Sequence, residues 1–502
     1  MNRSFPNCLM VICLACISGL PAVGAAQENT VDWQSVDTDD ADESLSSDPD
    51  AESPVVYYHL EKVDIRGNRK TLRSVILRYL NIRPGELFSA EDARLDEARY
   101  RMLASGLFRS VNFELKKGST RGYVILEIRI LERNTIVVND LSVGITQILP
   151  NEDQIVPFGS IGLQERSLLG TGIELGGMLA ASADQSAYRI YLRDDHFLNS
   201  RFGIHVEGLF AEAEEYFGNH FLPGPGDTAI SNTYEVIEYR RAGIRLGTGY
   251  NLLTNYFFWC DLRFENILRD EPRVVDSNDI PSDDDSAIDI APYMEPDDSV
   301  LTSALFGVTV DTTNHPVLPS DGAKTQLSVE LSHPLFGSDY EFVKFQLSHR
   351  ILFPFGKTGQ SIGVEGLAGL ISGNAPFFEQ FFVGDYSAFV PDRKLGLNFT
   401  NLHPAILDTA IKNMWYEDLM LSVSTEWSRP LYRGSGNLYG INLFVRMGVF
   451  LLTSSAELYT RQLPIDLTGD FGVRIDTSVG IFSFSFASVL QLIPPIRKET
   501  TE

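Results

Sequence analysis

The chain is short of cysteine: it has four, and Cys8, Cys13 and Cys16 all lie near the start, leaving Cys260 alone in the rest. One thiol excludes an intrachain disulfide framework. No run of 18 or more apolar residues follows the first stretch, so a membrane-spanning helix is not expected. Basic residues are outnumbered, 41 against 67 acidic, and they form no stripe, which argues against nucleic acid as a partner. GxSxG, HExxH and GxxxxGK[ST] are all missing, and with them the usual signs of a serine hydrolase, a zinc protease or a nucleotide-binding loop. The eight His residues are scattered; His196, His315 and His333 have no second ligand at helix or hairpin spacing. Asp283, Asp284 and Asp285 lack the Gly and Glu of a calcium loop and read as a solvated segment. No catalytic residue, cofactor or metal ligand is expected.

What is present is unevenly placed. Much of the net charge of -26 comes from two blocks, 27–58 and 270–298, which are dense in Asp and Glu and nearly free of Lys and Arg. Both read as solvated segments. The first residues, MNRSFPNCLMVICLACISGLPAVGAAQ, have an Arg, an apolar core and then small residues. That order predicts a secretory signal over 1–26, cut after Ala25 or Ala26. A lipoprotein site at Cys16 is the second reading of the same stretch. Residues 27–56 are expected to be an acidic linker, followed by an α+β domain over 57–133.

Within that domain, YHLEKVDIRGN predicts a strand. Leu72, Val75, Ile76, Tyr79 and Leu80 fall on one face of a helix. Ser89 and Asp92 form a capping pattern ahead of a second helix lined by Leu95, Ala98 and Met102. Strands over 111–115 and 123–131 complete a β-α-α-β-β order.

From 134 to 492 the period becomes two. In TQLSVELS, Leu327, Val329 and Leu331 oppose Ser328 and Glu330; near the end, Phe482, Phe484 and Phe486 oppose Ser483 and Ser485. A soluble sandwich alternates too. The polar set, however, includes Arg263, Glu265, Lys344, Arg446 and Arg474, which a dry core rejects and a watery lumen accepts. The expected fold is therefore an all-β transmembrane barrel. At about 22 residues per strand and connection, 134–492 gives about 16 antiparallel strands. Residues 493–502 are expected to be a short tail.

Several stretches resemble the BamA/TamA family of outer-membrane assembly proteins. Gly67-Asn68, then Gly85 with Phe88, then Gly106 with Phe108, resemble the spaced pattern of a POTRA repeat. GLQERSLLGTG (162–172) and LRDDHFLNSRFGIHVEGLF (192–210) are similar to early-barrel segments of the family. DTTNHPVLPSDGAKTQLSVELS (311–332), with Asp311, Pro316, Pro319 and Gly322, resembles its most specific hairpin.

The resemblance implies an outer-membrane protein of a Gram-negative cell, with the small domain in the periplasm. It implies contact with outer-membrane lipids and lipopolysaccharide, and help in inserting or translocating unfolded client outer-membrane proteins. Periplasmic chaperones or accessory lipoproteins are the further partners it suggests. The implied working part is a seam between the first strand, near 137–147, and the last, which carries Gly480, Phe482, Phe484 and Phe486. A lumenal loop that in the family bears an Arg-Gly-aromatic triplet here reads FFVGDYSAFVPDRKLGLNF (381–399). Gly384, Asp385, Asp392 and Arg393 are its candidate residues; Arg393 is either a substitute for the family arginine or an ordinary lumen residue. A substrate-selective pore and a dedicated secretion translocator stand as alternatives.

Overall fold

The computed structural model describes residues 56–80, 82–147, 155–218, 233–253, 255–276, 294–295, 297–314, 319–356, 359–382, 393–398, 416–434, 436–456 and 465–490. The expected signal, linker and tail lie outside them.

The chain first forms a four-stranded sheet with two helices. Strand β1 (Tyr57–Arg66) leads into helix α1 (Arg73–Leu77), strand β2 (Leu87–Ser89), helix α2 (Ala93–Ala104), and strands β3 (Phe108–Lys117) and β4 (Tyr123–Glu132). The sheet order is β2-β1-β4-β3, with β1 parallel to β4. Leu95, Ala98 and Met102 are buried as the period of α2 predicts. Asp92, not Ser89, caps α2: its side chain accepts from the Arg94 backbone N–H, while Ser89 ends β2. Helix α1 keeps only five residues. Val75, Ile76 and Tyr79 face the core, but Leu72 is exposed: it precedes the helix in extended backbone, and its N–H donates to the Gly170 carbonyl in the barrel.

The rest of the described chain is one sheet closed on itself. Its strands are β5 (Ile136–Gln147), β6 (Ile155–Glu165), β7 (Glu174–Ala181), β8 (Ser186–Asp194), β9 (Phe202–Gly218), β10 (Thr233–Leu253), β11 (Tyr256–Arg269) and β12 (Arg273–Asp276). They continue with β13 (Ser299–Asp311), β14 (Gly322–Ser332), β15 (Glu341–Phe355), β16 (Gln360–Asn374), β17 (Leu419–Arg433), β18 (Leu438–Thr453), β19 (Ile465–Thr477) and β20 (Gly480–Leu490). Strands are sixteen by number, near the expected count, but β12 pairs with β10 just beyond β11 and merely extends that stave. Among the described residues the cylinder therefore has 15 staves. In a meander an odd number forces the first and last strands to run the same way, and β20 does pair parallel to β5.

The wall sorts its side chains as alternation requires. Ile244, Leu246, Leu262 and Phe264 point outward and are exposed, whereas Tyr239, Arg241, Arg263 and Glu265 point inward and are buried. Among the described residues no helix is long and apolar enough to cross a membrane.

Candidate functional site: the seam, its clamp and the lumenal loop

The closing contact between β5 and β20 is slight. Its register is the single pair Gly480–Val138, with the Val138 N–H donating to the Val479 carbonyl at 2.7 Å. By contrast all of 17-residue β9 is paired to β10. Gly480 has φ +147, and a Cβ there would lie 2.3 Å from the Val138 carbonyl oxygen, so this closest approach needs glycine. Phe482, Phe484 and Phe486 pair on their other side with Ile475, Val473 and Phe471 of β19. Phe484 and Phe486 are exposed, as are Leu141 and Val143 of β5, the last at 84%.

The small domain grips the end of the barrel at which the seam is joined. Arg133, in the link to β5, pairs with Asp476 at the end of β19 at 2.9 Å, and both are mostly buried. Its guanidinium lies 4.8 Å from the Tyr439 ring, and Arg109 of β3 stacks on the same ring at 4.7 Å while donating to the Gly434 carbonyl at 2.7 Å. These residues clamp the first strand to the last hairpins.

Other turns at this end also meet the domain. Gly170, at φ +80, brings its turn so close to Lys70 that a Cβ would lie 2.2 Å from that carbonyl oxygen. This accounts physically for glycine in the LLGTG stretch. His196 packs edge-on against Tyr79 at 5.2 Å. Burial, and then the charge of Arg78, pull its pKa down to about 4.

Inside the barrel, the connection after β16 packs on the wall. Glu379 receives Arg263 at 2.7 Å and Lys344 at 3.2 Å. Arg263 also reaches Glu265 at 2.6 Å and Glu330 at 3.1 Å; Arg241 pairs with Glu265 at 2.7 Å and stacks on Phe378 at 4.0 Å. Buried charges survive only when paired in this way. Around them Phe217, Tyr239, Phe377, Phe378, Phe381, Phe382 and Tyr416 form an apolar cluster. The lumen accepts paired charges as expected, and beside them the rings of the turn at 377–382 are buried on the inner wall. A second ionic knot joins Glu426 to Arg350, Arg446 and Arg474, with Arg446 reaching Glu365.

Of the loop candidates, Gly384, Asp385 and Asp392 lie outside the described residues. Arg393 donates to the carbonyls of Phe378 at 3.0 Å and Gln380 at 2.8 Å, and so ties two arms of the loop together. Its neighbour Lys394, which sequence reasoning passed over, reaches Asp140 of β5 at 3.2 Å. That contact links loop to seam, and nothing in the local sequence marks it.

In the hairpin, Asp311 accepts from the Thr313 N–H and hydroxyl, Gly322 adopts φ +98, Pro319 is half-buried, and Pro316 lies outside the described residues. Gly67, Gly85 and Gly106 all adopt positive φ, Asn68 reaches the Thr71 carbonyl at 3.5 Å, and Phe108 is buried. Among the described residues no group of three or more His, Cys, Asp or Glu side chains is placed to hold a metal ion.

Comparison with known proteins agrees with this architecture. Residues 167–389 match the Omp85 superfamily domain, and residues 58–133 match POTRA, the surface antigen variable number repeat. An outer membrane protein assembly factor BamA of Nitratidesulfovibrio vulgaris is 24% identical over 331 residues, 65% of this chain and 36% of the relative. Another, of Neorickettsia risticii, is 25% identical over 40% of this chain and 25% of the relative. The chain thus spans about a third or less of the length of these curated relatives. Among solved structures, CdiB from Escherichia coli has the same fold, with TM-score 0.55 at 12% identity over 87% of this chain and 74% of that one.

Proposed function

We propose that this chain, a member of the Omp85 superfamily by its barrel domain and its POTRA repeat, assists insertion of other β-barrel proteins into the Gram-negative outer membrane. It does so without enzymatic chemistry, and its POTRA domain faces the periplasm. The observation that carries the reading is the seam: one register pair beside a fully laddered wall.

The physical argument concerns backbone groups in lipid. Each unsatisfied N–H or C=O costs several kcal/mol there, which is why spanning sheets close. A seam joined at one end leaves such groups on β5 and β20, an edge that templates an incoming strand. A client strand paired there has its own backbone groups satisfied before it meets lipid. The clamp of Arg109, Arg133, Tyr439 and Asp476 places the POTRA domain at the point where the seam begins. Unfolded clients held along a POTRA strand edge by strand addition would arrive beside it. Outer-membrane lipids and lipopolysaccharide surround the wall; chaperones or accessory lipoproteins would deliver clients.

The test is reconstitution of the full chain in lipid vesicles with an unfolded outer-membrane barrel. Assembly is scored by protease protection and heat-modifiable migration of the client. The expected result is faster assembly than in empty vesicles. Equal rates, with a large steady conductance, would favour the pore instead.

A further inference from the structure

Strand β15 carries a polar ring on a face that is otherwise apolar. Val343, Phe345 and Leu347 lie on one side of His349 along that face, and Ile351, Phe353 and Phe355 on the other. It is the outer face: Val343, Phe353 and Phe355 are exposed, whereas Lys344 and Arg350, of opposite parity, reach Glu379 and Glu426 inside. His349 thus sits midway along the apolar run. Thr325, His349, Gly366 and Val423 are successive register partners across β14 to β17, so they share that face.

Lipid tails neither donate nor accept hydrogen bonds, and an ionisable side chain among them calls for a partner. Nδ1 of His349 has one, the Thr325 hydroxyl at 2.8 Å. Among the described residues nothing else bonds the ring, which leaves Nε2 without a partner. Gly366 beside it forms a notch: a Cβ there would meet nothing nearer than the Ser422 carbonyl oxygen at 4.0 Å. Ala368 continues the low ground on the same face.

We infer that this patch binds a second copy of the chain, with His349 of each copy bonding His349 of the other and packing over its Gly366. The occupant must bring a polar atom to mid-wall depth in hydrocarbon, which excludes lipid headgroups and soluble proteins. A two-fold axis along the membrane normal places both His349 rings at one depth, so self-association meets that need without any other protein. The imidazole also suits pairing with itself, because the neutral ring has one N–H and one bare nitrogen. The Thr325 hydroxyl donates or accepts, so Nε2 is a donor in one copy and an acceptor in the other. Apolar surfaces gain little from each other in lipid; close packing at small residues and hydrogen bonds carry association there. Ring and notch lie side by side on one patch, as an isologous contact requires. The patch is on the wall away from the seam, so pairing of copies and client assembly are separate events.

The test uses the full chain in lipid vesicles, in two forms with different affinity tags, carrying a photoreactive residue at Leu347. The control carries it at Ile190, exposed on β8 across the barrel. Heat-modifiable migration verifies that each variant is folded. Adducts joining the two tags are expected from Leu347 at least tenfold above Ile190, with the attachment on β14–β16 of the other copy. His349→Leu should weaken association about three- to tenfold, the effect of one hydrogen bond lost in lipid. Gly366→Phe, which fills the notch, should weaken it too. His349→Gln keeps a donor and an acceptor and should retain it.

The inference is overturned by no excess over Ile190, by attachment outside β14–β16, by His349→Leu associating like wild type, or by His349→Gln falling as far as His349→Leu.

Discussion

The wall at β9 and β10 and the seam at β5 and β20 are made of the same kind of strand, yet one is laddered throughout and the other at a single point. Their side-chain chemistry does not separate them: both are apolar outside and polar inside. What differs is direction. Neighbouring strands joined by a turn are antiparallel without further help, whereas the first and last strands of an odd meander are parallel and have no connection to hold their register. The difference teaches that this seam is weak because of strand direction among the described residues and not because of a patch of poor residues.

The largest effect should come from stapling. Val138→Cys with Val479→Cys ties the seam where it already touches, and client assembly should fall at least tenfold and recover with reductant. The same staple at Val206 and Leu246, partners on β9 and β10, should change little. Equal loss from both staples would erase the contrast.

Next is Gly480→Ala, which drives a Cβ against the Val138 carbonyl and parts the one closing pair among the described residues. It should lower the temperature at which the barrel loses its compact gel migration, by the equivalent of about 1–3 kcal/mol. Gly208→Ala on β9, with nothing nearer than 3.8 Å, should leave migration close to wild type.

A smaller effect is expected from Arg133→Ala. It strands Asp476 without its cation and should cost about 3 kcal/mol or less, because the pair is not fully dry. The variant should open the seam more readily; assembly rate with unchanged barrel content checks this.

The smallest effect is one of pH. His196 titrates near 4 when folded, against an ordinary value of 6.5. Between those values the unfolded state binds more protons, so the contact of His196 with Tyr79 is at full strength above pH 6.5 and weakens as pH falls toward 4. Protease cleavage between the POTRA domain and the barrel should quicken over that window, and His196→Phe should flatten the dependence.

Much of the fold was legible because it is written in periods. The buried face of α2 and the inward charges Arg263, Glu265, Lys344, Arg446 and Arg474 all came from spacing. Strand β2 did not, since three residues carry no period. The odd stave number was invisible too: an average length per strand does not distinguish 15 from 16. At the site, Gly480 and the phenylalanines of β20 could be named in advance, but that Gly480 alone of them meets β5 among the described residues could not, because pairing between distant strands is non-local. The loop's aromatic turn read as a connection and proved to fill the lumen. Its Arg393 binds the carbonyls of Phe378 and Gln380, which any residue type supplies, so those contacts are not marked in the sequence.

The most direct test is a distance measurement between spin labels in the full chain in an outer-membrane lipid bilayer. One pair sits across the seam at Val143 and Phe484, the other across the wall at Val206 and Leu246. A broad or multiple distribution at the seam beside a narrow one at the wall is what the account predicts. Two equally narrow distributions would contradict it.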